Sequence, residues 1–223
     1  MVQQILDIAA PPSSPVIVDV GGGTGFFAAE LLRQLDDEAS VYVVDPSEDM
    51  LSQAPVHPKL RTICVAAENS RKKLTDLGIA HVDLVLIKEA VHHFLDPAAT
   101  LQDLSHLLGP QQALLVVMLP TRIEYPLFGA ALQRFTELQP DPADISSYLS
   151  AAGLLAARQA RGFTIELPKQ RWITMVANRF MSLLSTFNDN EIAEGVREIE
   201  RNLVDVDTVR FQNNLEFVVG RGR

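Results

Sequence analysis

The stretch that most constrains this chain of 223 residues is "VIVDVGGGTGFFAAELL", Val16 to Leu32. A β-branched run holding a single acid, Asp19, leads into four glycines within five positions (Gly21, Gly22, Gly23 and Gly25). Apolar residues then recur at Ala28, Leu31, Leu32 and Leu35, the spacing of a helix face. A continuous β-branched run reads as a strand buried on both faces, which belongs in a parallel sheet covered by helices. Glycine permits positive φ and lets a backbone come close to a ligand. In an open α/β sheet, ligands lie outside the carboxyl ends of the strands, where this turn falls.

The rest of the chain repeats the rhythm. "SVYVVD" (Ser40 to Asp45), "LRTICVA" (Leu60 to Ala66), "HVDLVLIK" (His81 to Lys88) and "ALLVVMLP" (Ala113 to Pro120) read as further strands. Val2 to Ala9 reads as a short helix. Between the fourth and fifth strands, Asp96 can cap a helix that Pro97 opens, that Leu101, Leu104 and Leu108 face inward, and that Gly109 and Pro110 stop. Asp141 and Pro142 open another, closed by Gly153. The last third departs from the pattern. "GFTIEL" and "LEFVVG" read as strands that pair antiparallel at the sheet edge, and Pro168 to Leu203 between them reads as helical, with an Asn188/Glu191 cap. The expected fold is a single α/β domain over 1–223: a doubly wound, mostly parallel seven-stranded sheet with helical insertions at 121–140 and 168–203.

Several ligand classes can be weighed. The formal charge of −9, from 19 Lys and Arg against 28 Asp and Glu, disfavours binding along a phosphate backbone, so no nucleic-acid partner is expected. The single cysteine, Cys64, excludes an internal disulfide and a cysteine-rich zinc site, and no metal is expected. No stretch reaches the ~20 apolar residues of a membrane span, and a cytoplasmic protein is the expectation. The glycine run by itself leaves dinucleotides and S-adenosylmethionine both open. Counted from Gly21, the dinucleotide fingerprint G-x-G-x-x-G/A fails at Phe26; counted from Gly23 it passes, but begins beyond the strand end.

The surroundings of the glycines are more specific. Asp19-Val20-Gly21-x-Gly23-x-Gly25 resembles the first motif of class I S-adenosylmethionine-dependent methyltransferases. "VVDPSEDML" resembles their second motif, "VAAENS" the segment after strand three, "VDLVLIKEAVHHFLDP" strand four with its following helix, and "LLGPQQALLVVMLP" the approach to strand five. Within the family, the similarity is greatest to the small-molecule enzymes of the methyltransferase-11 or ubiquinone-biosynthesis type. It runs over Val16 to Leu119 and more weakly over the last two strands.

This resemblance implies a cofactor, S-adenosyl-L-methionine, a small-molecule methyl acceptor, and a sheet order of 3-2-1-4-5-7-6. It implies that Gly21, Gly22, Gly23 and Gly25 let the backbone pass the cofactor, and that Asp19 helps hold its ammonium group. Asp45, followed by Pro46, would accept both ribose hydroxyls. Ala67 and Glu68 would flank the adenine, and Lys88 and Glu89 would lie near the methionine part. Two departures stand out: Ala66 occupies a position where relatives often place an acid, and Gln111-Gln112 replaces the usual Gly-Gly before strand five. Relatives often carry a longer N-terminal segment over the cofactor, so a lid here is expected to be short or to come from elsewhere.

His92 and His93 follow strand four on the ligand side and, with Tyr125, are the candidates for a general base. Histidines in such a place also pack or cap. Tyr125, Phe128 and Trp172 in the two insertions are candidates for contact with the acceptor; at helical spacing they are equally suited to a core. Two rival functions remain at this level, a nicotinamide-dependent oxidoreductase and a methyltransferase-like protein that binds without catalysis.

Overall fold

The computed structural model describes residues 1–222. Seven strands form one sheet: β1 (Val16–Val20), β2 (Ser40–Asp45), β3 (Leu60–Cys64), β4 (Val82–Lys88), β5 (Leu108–Met118), β6 (Leu155–Pro168) and β7 (Thr208–Arg221). Their order is β3-β2-β1-β4-β5-β7-β6, as the family resemblance implies. The first five pair in parallel, and β7 runs antiparallel to β5, which makes the sheet mixed but mostly parallel. Facing residues on the last two strands, Gly162 with Asn214 and Thr164 with Gln212, rise in number along β6 as they fall along β7, so this pair is antiparallel too.

Parallel pairing follows from the β-branched strands, which are buried on both faces. Ile17, Val18, Val20, Val41, Val43, Val44 and Val85 are fully inaccessible to solvent. The helices are α1 (Val2–Ala9), α2 (Phe26–Leu32), α3 (Glu48–Leu51), α4 (Ser70–Asp76), α5 (Pro97–Ser105), α6 (Gly129–Leu138), α7 (Pro142–Ala151), α8 (Lys169–Ala177) and α9 (Asp189–Asn202). Leu74 of α4, Leu101 and Leu104 of α5, and Ile145 and Leu149 of α7 close one core with Val18, Val85 and Val116 of the sheet. The Asp96 carboxylate accepts the Ala99 amide at 2.9 Å, with Pro97 opening α5. Asp141 caps α7 through the Ala143 amide at 2.8 Å.

Some boundaries differ from the sequence reading. Gly109 and Pro110 do not stop a helix; they belong to β5, which starts at Leu108. The reason is tertiary. Leu108 pairs with Val82, the register then shifts before Leu84, and the Gln111 amide donates to the Gly222 carbonyl at 3.1 Å. Both C-terminal strands are 14 residues long, well beyond "GFTIEL" and "LEFVVG". The helical segment 168–203 breaks into α8, a 3₁₀ turn at Ser182–Thr186, and α9, whose Asn188/Glu191 capping box is complete.

Contacts divide the chain into two compact units. The first holds 1–118, 140–159 and the residues from Glu216 on; the second holds Leu119–Gln139 and Ala160–Leu215. The second is built around aromatic rings. Trp172 packs against Phe180 and Phe211 with ring centroids 5.1 and 5.0 Å apart, and Phe128 meets Phe187 edge-on at 5.1 Å.

Candidate functional site

Parallel register brings the carboxyl ends of the central strands to one edge. Val20 lies opposite Val44, and Asp45 opposite Cys64, so the loops that leave β1, β2 and β3 emerge together. Between these loops and those after β4 lies a cleft of 460 Å³, within the size range of small-ligand sites.

The glycine turn forms its floor. Gly21 has φ +75, and a Cβ there would collide with the Cβ of Ala90. Gly23 has φ +54 and lines the cleft directly. The clash excludes a side chain at Gly21, and the positive φ at both positions favours glycine. The turn is fastened to β2: the Gly21 and Gly22 amides both donate to the Val44 carbonyl, at 2.7 and 3.2 Å. The Asp45 carboxylate completes the fastening. Its Oδ2 accepts the Gly23 amide at 3.0 Å and its Oδ1 accepts the Ser47 amide at 2.9 Å. Two of the roughly four lone-pair sites on a carboxylate are thereby used, and the others remain for a ligand.

Pro46, Ala66, Ala67, Glu68, Glu89 and His93 also line the cleft. The Glu68 Oε1 accepts the Leu95 amide at 2.9 Å, which ties the loop after β3 to the loop after β4. Glu89 takes φ +53, uncommon for a residue with a side chain, and its carboxylate pairs with the Lys88 ammonium at 2.7 Å. The lining includes three carboxylates, from Asp45, Glu68 and Glu89, and neither lysine nor arginine.

Asp19 stands behind the turn rather than in the lining. It is 2 % exposed, and its Oδ2 lies 2.7 Å from where a Cβ on Gly22 would be. Burial pushes its carboxyl up to about 7; the Lys88 ammonium opposes this and the Asp45 carboxylate adds to it. His92 and His93 lie in a 3₁₀ turn with ring centroids 4.0 Å apart. Burial, then the neighbouring His93, holds the His92 ring down to about 4, so it is neutral at pH 7 and a weak base.

The cleft thus gathers Gly21, Gly23, Asp45, Pro46, Ala67, Glu68, Glu89 and His93; Asp19, Gly22, Gly25, Lys88 and His92 are outside its lining. Tyr125, Phe128 and Trp172 belong to the second unit. Phe128 and Trp172 are 3 % and 1 % exposed there, and the Trp172 Nε1 donates to the Pro126 carbonyl at 2.9 Å. The Tyr125 hydroxyl donates to Asn213 Oδ1 at 2.9 Å. Ala66 and five residues that the sequence alone does not single out, Val44, Met50, Ala90, Phe94 and Leu95, complete the lining. Leu95 is 92 % exposed, and an exposed leucine beside a cleft is the one signal that marks it.

Comparison with known proteins agrees with this fold. A family model described as a methyltransferase domain matches residues 1–167. The chain belongs to that family, the class I S-adenosylmethionine-dependent methyltransferases. No curated protein sequence matches it significantly. Among solved structures, a protein from Anabaena variabilis assigned as a methyltransferase from an antibiotic biosynthesis pathway aligns with TM-score 0.73 at 19% identity, over 98% of this chain and 95% of that one. The YcgJ protein of Bacillus subtilis aligns with TM-score 0.66 at 14% identity, over 100% and 97%. A phosphoethanolamine N-methyltransferase of Haemonchus contortus, in complex with phosphomonomethylethanolamine and S-adenosylhomocysteine, aligns with TM-score 0.60 at 15% identity, over 99% of this chain and 52% of that one. At these identities the likeness is one of fold. Among the described residues no helix is long and apolar enough to cross a membrane.

Proposed function

We propose that the cleft holds S-adenosylmethionine and that the chain transfers its methyl group to a small-molecule acceptor by in-line displacement. One observation carries the reading: a glycine cradle pinned by Asp45, in a cleft with three lining carboxylates and no lysine or arginine. A pyrophosphate-bearing dinucleotide brings negative charge and finds no basic side chain in the lining. A ligand with an ammonium and a sulfonium suits the same lining. The cofactor fits the residues present: the Asp19 carboxyl is buried directly behind the turn, and Gly21 packs so closely on Ala90, which lines the cleft, that no side chain has room there.

The resemblance supplies the residue roles, and the lining of the cleft by Gly21, Gly23, Asp45, Pro46, Ala67, Glu68 and Glu89 supports those given to them. Asp45 retains acceptor sites for two ribose hydroxyls, with Pro46 beside it. Gly21 and Gly23 keep the floor bare, and Gly22 and Gly25 complete the turn that carries them. Ala67 and Glu68 flank the adenine, with Met50, Phe94 and Leu95 adding apolar surface around it. Asp19, Lys88 and Glu89 serve the methionine end. The cofactor supplies a methyl group already activated by the positive sulfur. The protein's work is therefore alignment and exclusion of water. A base is needed only for an acceptor that must lose a proton, and His93, which lines the cleft, is better placed for this than His92. The formal charge of −9 supports a small acceptor over a nucleic acid.

Calorimetric titration of the chain with S-adenosylhomocysteine and, separately, with NADH tests the cofactor. Binding of the first alone is expected; binding of NADH alone overturns the reading. Incubation with methyl-labelled cofactor and pooled metabolites then tests the transfer, and no labelled product from any pool would remove the catalytic half of the proposal.

A further inference from the structure

Asp19 sits in the middle of the sheet with little to balance it. Its ladder partners are Val43 on β2 and Leu86 on β4, both apolar. The charges that act on it are Asp45 at the end of β2, which repels it, and Lys88 at the end of β4, which attracts it. Lys88 is committed elsewhere. Its ammonium is bonded to Glu89 at 2.7 Å and lies 5.2 Å from the centre of the Phe27 ring. Asp19 abuts Gly22, in the turn whose neighbours Gly21 and Gly23 line the cleft. Asp19 itself is 2 % exposed.

A buried carboxylate among apolar neighbours and without a free counter-ion is costly, and such a group reduces the cost by holding its proton. A ligand cation changes that balance, because an opposite charge nearby favours the ionised form. We propose that Asp19 meets the ligand as a neutral carboxyl and exchanges its proton for the ligand's ammonium, so that occupation of the cleft releases one proton to solvent. The inference rests on the reading of the cleft as a site for S-adenosylmethionine. The exchange balances: the O–H bond of Asp19 breaks, the proton passes to water or buffer, and the carboxylate keeps the electron pair and faces the ammonium. With the free carboxyl titrating at about 7, affinity below that pH should rise with pH, by about tenfold per unit. Above it, affinity should level off.

The probe is S-adenosylhomocysteine, whose α-amino and α-carboxyl groups do not titrate near pH 6. The full chain is titrated calorimetrically at pH 6 in two buffers of different protonation enthalpy. Close to one proton released per ligand bound is expected for the wild type, and none for Asp19→Asn, which should bind more weakly. Binding by the wild type without proton release overturns the proposal and leaves the cofactor assignment standing. Release that persists in Asp19→Asn assigns the proton to another group and also overturns it. No binding at all sinks both. Should Asp19→Asn fail to fold, the wild-type affinity from pH 5 to pH 8 decides: a flat profile refutes the exchange.

Discussion

The Asp45 carboxylate is bonded to the Gly23 amide at 3.0 Å, across 22 residues of sequence. One side chain therefore shapes the glycine turn and presents acceptor atoms to the cleft that the turn floors. The two duties separate on mutation, because the turn is also held by the Val44 carbonyl through Gly21 and Gly22.

Replacing Asp45 by alanine should therefore leave the chain folded while its ligand site fails. A hydrogen bond to a charged acceptor contributes about 1.5–3 kcal/mol, and tenfold in affinity is about 1.4 kcal/mol. Affinity for S-adenosylhomocysteine should fall at least about tenfold, read by calorimetry, with circular dichroism unchanged. Equal affinity in a folded Asp45→Ala protein contradicts the proposed ribose contact.

Asp19 makes the stability of the free chain depend on pH in an unusual direction. Its folded value of about 7 stands above the ordinary 3.8, so folding favours the protonated form. That contribution is complete below the unfolded value and is lost as pH rises through the folded one. Urea unfolding should show the wild type weakening between pH 5 and pH 8, by an amount on the order of 2–4 kcal/mol for this group. Asp19→Asn lacks the titrating carboxyl and should lose much less over the same range. Parallel profiles for the two proteins would show that Asp19 is already ionised at pH 5.

Much of this architecture was legible because its causes are local. The β-branched runs, the Asp96-Pro97 and Asp141-Pro142 helix starts and the Asn188/Glu191 box each need only a few neighbouring residues, and each is found in place. The start of β5 was not legible. Gly109 and Pro110 read locally as a stop, yet pairing with distant Val82 and Gly222 draws them into a strand. The cleft shows the same division. Asp45 and the glycines announce themselves by spacing. Met50, Phe94 and Leu95 look like any apolar residues until parallel register sets their loops around one cavity.

Gly195 illustrates a constraint that spacing conceals. It lies inside α9, where glycine costs about 1 kcal/mol relative to alanine, so a Gly195→Ala change should stabilise the helix taken alone. A Cβ at that position would run into the ring of Phe128. Overpacking a close-fitting core costs about 1–3 kcal/mol and should exceed the helical gain. The expected result is a lower melting temperature for Gly195→Ala; a higher one would mean that the Phe128 ring moves aside freely.

Trp172 decides whether the aromatic cluster of the second unit is scaffold or pocket. It is 1 % exposed, bonds Pro126 through its indole N–H, and packs on Phe180 and Phe211. Removing so buried a ring typically costs ~3–5 kcal/mol. Trp172→Ala should accordingly unfold at markedly lower urea, with its fold otherwise intact at low temperature. Trp172→Phe keeps most of the apolar volume and leaves the Pro126 carbonyl without its donor, so its loss should be smaller, about 1–3 kcal/mol. As the only tryptophan, Trp172 also reports on itself: buried among rings, it should emit well to the blue of a solvated indole and shift red on unfolding. Affinity for S-adenosylhomocysteine should be nearly unchanged in a folded Trp172→Phe protein, because the ring is not among the residues that line the cleft. The contrary pattern, a melting temperature that holds while acceptor turnover collapses in Trp172→Ala, would place the indole beside the acceptor and give the aromatic cluster a substrate role.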